Sequence, residues 1–231
     1  MKHTSGFASP ASPSIPRSLF AISLLYGGLV VLAGVLGTKI AALGHWPLVG
    51  GLAVESGIFA FLMLVVMASA VAELFGQDVA NRLVRFGFIP QICSILLLTF
   101  VIHIVPPAPF WTDQDAFARL LGQGARMQFA GLISYGTSQT LNVYVFSRLA
   151  GGRGRLLIFR AWVASLLSQV VDTLIFITIS FYGVKDAAGL PLPIGTIMEG
   201  QIISKLILST IMVPPLIWVF VRLGRWLDTP R

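Results

Sequence analysis

Asp172 is the side chain that demands most of its surroundings. It stands in an apolar run from Leu156 to Phe181, where a carboxylate near a bilayer centre costs about 2.5 to 3.5 kcal/mol unless a partner or cavity receives it. Gln169 lies three residues before it, Ser168 four before and Phe176 four after, so all share one side of a helix. Thirty residues upstream the same spacing recurs as Ser138, Gln139, Asn142 and Phe146, giving S-Q-x-x-N/D-x-x-x-F twice. Ser, Gln and Asn can bond helices together at about 1 kcal/mol each, and Ser138 and Ser168 are read that way. Such bonding needs no charge, so Asp172 is read as functional. Ser134 matches Ala164, so small residues lead into both polar clusters. On successive antiparallel helices the two copies are inverted. Gln139 and Gln169 then fall near the midplane, with Asn142 towards the cytoplasmic side and Asp172 towards the outer side.

Other groups could serve the same seam. Lys205 stands a few residues into the last apolar run, at the level of Asp172. Two readings are open: a buried pair that neutralises both charges, or a lysine that snorkels to the outer surface along its stem. Glu73 ends the second run near Arg82 and Arg85, as a polar contact or a solvated helix-end charge. Glu55 sits among Gly50, Gly51 and Gly57, where a broken helix lining a cavity and a plain outer loop are both open. His103 has no carboxylate in local spacing and reads as interfacial. HExxH, G-x-S-x-G, a Walker loop and the paired aspartates of lipid-headgroup transferases are absent, so no catalytic residue and no cofactor are expected. Cys93, the single cysteine, forms neither an intramolecular disulfide nor a thiolate cluster.

These residues require long apolar helices around them. The chain of 231 residues is 56% hydrophobic and 11% charged, far below the roughly 25% charged of soluble domains. Six stretches approach the ~20 apolar residues of a spanning helix: 19–36, 57–74, 86–105, 127–146, 156–181 and 202–221. The fold class expected is all-α, a polytopic membrane protein with six transmembrane helices. Residues 1–17 form a disordered cytoplasmic start, 18–226 a single transmembrane domain and 227–231 a tail. The net charge of +7 is topological and not a nucleic-acid signal. Lys2, Arg17, Arg82, Arg85, Arg148, Arg153, Arg155, Arg160, Arg222, Arg225 and Arg231 fall on one side, which the positive-inside rule makes cytoplasmic, with both termini there. Lys39, Arg119, Arg126, Lys185 and Lys205 fall on the other. Ala33, Gly37 and Ala41 form a ridge for close packing on the protein's own helices. The loop from Pro106 to Gly124 connects spans three and four, with Phe110 and Trp111 as interfacial anchors or a short interfacial helix in its middle.

Several segments taken in order resemble the vitamin uptake transporter (VUT) family, in its queuosine precursor transporter group. They are G-I-F-A-F (57–61), A-E-L-F-G (72–76), A-N-R-L (80–83), Y-G-T-S-Q-T-L-N-V-Y-V-F (135–146), S-L-L-S-Q-V-V-D-T-L-I-F (165–176), and Lys205 with Pro214. The resemblance implies a six-helix inner-membrane importer of deazaguanine bases salvaged for tRNA modification, with a fold similar to the substrate-binding subunits of ECF transporters. It also exposes departures: Ser69, Asn142 and the region of Gln201 stand where the family usually has acids.

The expected ligand is a small heterocyclic base, and the expected site lies between spans four, five and six in the outer half. A carboxylate can accept two adjacent N–H donors of a guanine-like edge, amides can serve its carbonyl, and aromatic faces can stack on the ring. Asp172, Gln169, Asn142, Gln139, Lys205, Tyr135, Phe176 and Glu73 are the candidate contacts; no metal is expected. Beside the bilayer itself, a second copy or an energising subunit is a possible partner. A binding subunit driven by an ATP-powered partner, a carrier of another vitamin-like heterocycle and, last, a membrane enzyme on a lipid are the alternatives.

Overall fold

The computed structural model describes residues 15–46, 50–122, 125–149, 156–183 and 194–229. The expected disordered start up to residue 14, the basic residues Lys2, Arg153, Arg155 and Arg231, and Lys185 lie outside them. Seven helices and one hairpin follow in order: α1 (Arg17–Leu36), β1 (Ile40–Trp46), β2 (Gly50–Glu55), α2 (Gly57–Phe75), α3 (Gln77–His103), α4 (Gln114–Leu121), α5 (Ala125–Arg148), α6 (Leu157–Phe181) and α7 (Ile194–Asp228).

Five helices, α1, α2, α3, α6 and α7, are long and apolar enough to cross a membrane, as expected of a multi-pass membrane protein. α5 has the length, 24 residues, but its inward face carries Ser134, Ser138, Gln139 and Asn142, all buried. Among the described residues the sixth expected span, α5, therefore falls short by composition. α2 is apolar on every side and occupies the centre: 72% of its spanning stretch is buried, against 6% for α3. A helix apolar all round belongs inside, and α2 accordingly touches α1, α3, α5, α6 and α7.

The described residues are overwhelmingly helical, as expected, with one exception: Ile40–Trp46 and Gly50–Glu55, where a broken helix or a plain loop was expected, form a two-stranded antiparallel sheet, in which Ile40 pairs with Glu55, Ala41 with Val54 and Ala42 with Ala53. The Ser56 amide donates to the Lys39 carbonyl at 2.8 Å and closes it. The hairpin holds Glu55 immediately before the first turn of α2. That start fits closely on α1: a Cβ on Gly57 would lie 2.7 Å from the Ala33 carbonyl oxygen and 3.3 Å from Gly37 Cα. Ala33 and Gly37 thus pack on the protein's own helix, whereas Ala41, the third member of the expected ridge, lies on β1 because α1 ends at Leu36.

The loop expected before span three shrinks to Gly76, whose φ of 93° suits a residue without a side chain. Arg82 and Arg85 therefore lie on the early turns of α3. At the same end of the bundle, the Asp228 carboxylate accepts from the Ser18 amide at 2.9 Å and the Ser18 hydroxyl at 2.5 Å, satisfying one of the free amides at the start of α1. The start of α1 and the end of α7 are side by side. In the loop after α3, α4 forms a short helix tied back by a Gln114 Nε2 donation to the Ile102 carbonyl at 3.1 Å, while Phe110 and Trp111 stay exposed.

Candidate functional site

Helical periodicity builds the polar seam. On α6 the buried residues Arg160, Ala161, Ala164, Ser165, Ser168, Gln169, Asp172 and Thr173 repeat at the spacing of one helix face. On α5, Ala130, Ser134, Tyr135, Ser138, Gln139, Asn142, Val143 and Phe146 do the same. The two helices run antiparallel in extensive contact. Two contacts fix their register: the Ser138 hydroxyl lies 3.3 Å from Asp172 Oδ1, and Arg160 Nε donates to the Phe146 carbonyl at 3.2 Å. This brings Gln139 and Gln169 to one level. The side-chain amides of both are buried with no hydrogen-bond partner.

One end of the seam opens on a cavity of about 170 Å³. Asp172, Phe176, Tyr135 and Ser134 line it from α5 and α6, Glu55 from β2, Phe61 and Leu64 from α2, and Gln91 from α3. Lys205 Nζ reaches across from α7 and donates to Asp172 Oδ2 at 3.2 Å. Both groups are buried, so the lysine is a partner and does not snorkel. A carboxylate offers about four lone-pair sites; the ammonium takes one and Ser138 competes for a second. The Ser138 hydroxyl oxygen also lies 3.2 Å from the Tyr135 carbonyl oxygen, to which it can donate instead. Asp172 therefore keeps acceptor capacity beside the cavity.

Aromatic groups shape one wall. Tyr135 donates to the Tyr26 hydroxyl at 2.8 Å and meets Phe88 edge-on at 5.4 Å between centroids. Glycines permit the approach: a Cβ on Gly136 would run into the Phe88 ring, and one on Gly87 would lie 2.8 Å from the Tyr135 hydroxyl.

Glu55 opens into the cavity and is half-buried. Burial raises its carboxyl above the ordinary range, Lys205 pulls it back down and Asp172 adds to the rise. Neither Glu55 nor Gln91 appears among the contacts drawn from the sequence. The available signal for Glu55 was an acid amid glycines before an apolar span, and for Gln91 a lone amide after Pro90 inside an apolar helix.

The remaining candidates lie deeper or elsewhere. Asn142 Nδ2 donates to the Val65 carbonyl at 3.0 Å and to Ser69 Oγ at 3.1 Å. Two positions where acids were expected from the family resemblance thus face each other as a neutral pair. Glu73 lies far from the cavity. Arg160 Nη1 donates to its Oε2 at 3.0 Å, with both side chains buried, and the guanidinium sits 4.1 Å from the Phe146 ring centre. Glu73 is therefore not a solvated helix-end charge, and Arg160 is not a loop arginine. Twelve residues separate Arg160 from Asp172, about 18 Å along the helix, so the two ion pairs bound the seam at opposite ends.

A family model described as "Putative vitamin uptake transporter" matches residues 55–219. The "Probable queuosine precursor transporter" of Bacillus subtilis (strain 168) is 33% identical over 120 residues, covering 50% of this chain and 51% of that protein. The chain thus spans about half the length of the curated relative it matches. No solved structure matches.

Proposed function

The chain belongs to the vitamin uptake transporter family, and from that premise we propose that it imports queuosine precursors, compact bases of the 7-deazaguanine type, across a bacterial inner membrane for tRNA modification. The observation that carries the reading is Asp172, a buried carboxylate with spare acceptor sites in the wall of a cavity beside Tyr135 and Phe176. Its free lone pairs suit the adjacent N–H donors of a guanine-like edge, and the aromatic groups suit the ring's faces. Lys205 donates to the carboxylate and orients it. Gln139 and Gln169, whose buried amides lack partners, lie along the seam between this cavity and the buried Glu73–Arg160 pair.

Six crossings with both termini cytoplasmic complete the proposal, α5 being the sixth. The Ser18–Asp228 bonds support an even number, because they bring the first and last helix ends to one side. Arg17, Arg222 and Arg225 at those ends support the cytoplasmic assignment.

The test is uptake of a labelled 7-deazaguanine base by cells lacking their own importer. Asp172→Asn is expected to abolish uptake with the protein still present in the membrane fraction. Asp172→Asn/Lys205→Met, which buries no unpaired charge, should do the same; uptake surviving in that variant overturns the site. Accumulation by the purified protein in liposomes is expected, whereas binding without accumulation would favour a subunit that needs an energising partner.

A further inference from the structure

On the outward side of the bundle, α6 and α7 leave a groove between them. It is open, holds about 690 Å³, and is walled by Leu157, Phe159 and Trp162 of α6 and by Thr210, Pro214 and Trp218 of α7, so it has room for a chain of methylenes. Its shape follows from side-chain size. Thr210 and Pro214 are low steps on α7, one turn apart, between the indole of Trp162, which reaches Thr210, and that of Trp218. The polar atoms of two of these residues are already engaged: Trp162 Nε1 donates to Thr210 Oγ1 at 3.2 Å, and Thr210 Oγ1 donates to the Leu206 carbonyl at 2.8 Å. What remains suits hydrocarbon and not a polar solute.

One charge stands at the end of this trough. Arg222, a turn beyond Trp218, is exposed and holds its guanidinium 4.9 Å from the Trp218 ring centre. Among the described residues no carboxylate pairs with it: Glu73 is taken by Arg160 and Asp172 by Lys205, while Asp228, the acid nearest in sequence, accepts from Ser18. Twelve residues separate Thr210 from Arg222, about 18 Å of helix, against about 15 Å for half of a bilayer's hydrocarbon core. A lipid whose chain lies in the groove therefore brings its headgroup level with Arg222. A zwitterionic headgroup sets its own ammonium against the guanidinium, whereas an anionic one offers an uncompensated phosphate, which a guanidinium can bind through two parallel N–H bonds.

We propose that the α6–α7 groove binds an anionic phospholipid, with one acyl chain against Trp162, Pro214 and Trp218 and the phosphate bonded to Arg222. The inference requires that α7 cross the bilayer, for which it is long and apolar enough, and it is independent of the solute carried.

The test reconstitutes the full chain in vesicles of phosphatidylcholine and phosphatidylglycerol, with bromine on the acyl chains of one lipid or the other, and reads quenching of indole fluorescence. The share belonging to the groove is the quenching lost in Trp218→Phe, which keeps an aromatic face beneath Arg222. In that share phosphatidylglycerol is expected to bind about fivefold more tightly than phosphatidylcholine, the worth of one arginine near a membrane surface. Arg222→Gln should bring the ratio to about one with quenching by brominated phosphatidylcholine unchanged, so that an intact groove and a lost charge contact are read together. Arg85→Gln, which removes an exposed arginine on α3, should keep the wild-type ratio. Equal groove quenching by the two lipids in the wild type overturns the inference. A ratio lowered alike by Arg222→Gln and Arg85→Gln also overturns it, as a diffuse surface potential. Absence of groove quenching by either lipid overturns it too, and assigns the groove to a second copy of the chain or a partner's helix.

Discussion

Buried charge at single residues makes the sharpest demands on this protein. The Asp172–Lys205 pair is tolerable because each group cancels the other, and removing one partner leaves an uncompensated buried ion at about 3–5 kcal/mol. Lys205→Met is therefore expected to lower the apparent thermal midpoint in detergent more than Asp172→Asn/Lys205→Met does; equal losses would show that the pair is not coupled. Glu55 behaves differently. Its folded carboxyl is raised above the ordinary range by burial, so its ionised form is the destabilising one. That cost is present above the folded value and absent below the unfolded one. Glu55→Gln should raise the midpoint at pH 7, with the gain fading as pH falls into the ordinary carboxylate range. A gain independent of pH would assign the effect to packing.

At the scale of elements, close approach between backbones sets what the helices tolerate. α1 and α2 meet where Gly57 faces the Ala33 carbonyl oxygen, a backbone atom that cannot swing aside. Gly57→Ala is expected to cost about 1–3 kcal/mol, the range for overpacking, read as a lower midpoint. Gly28→Ala, with nothing within 4 Å of the new methyl, is the control and should gain up to about 1 kcal/mol from helix propensity. The hairpin belongs to this scale too: strand pairing between Ile40 and Glu55 lets a loop outside the apolar spans present an acid to a cavity between them. Likewise Arg160 ties three helices at once, through Glu73 of α2 and Phe146 of α5.

For the whole molecule the prediction concerns topology. Reporters fused to either end are expected to read the same, cytoplasmic side; opposite readings would exclude an even number of crossings. Much of this plan was legible in sequence, because helix periodicity and apolar length act locally: the inner faces of α5 and α6, the thirty-residue recurrence of their polar clusters and the clustered arginines are all properties of neighbouring residues. What was not legible depends on residues far apart in the chain. Glu55 joins Asp172, Arg160 takes Glu73 and Ser69 meets Asn142 only once α2 is threaded through the centre of the bundle. The amino-acid sequence by itself thus determined a membrane protein with a polar seam on two successive helices. Tertiary structure alone decided which charges share a cavity and which cancel at its far end, since a buried charge is defined by partners that local spacing cannot name.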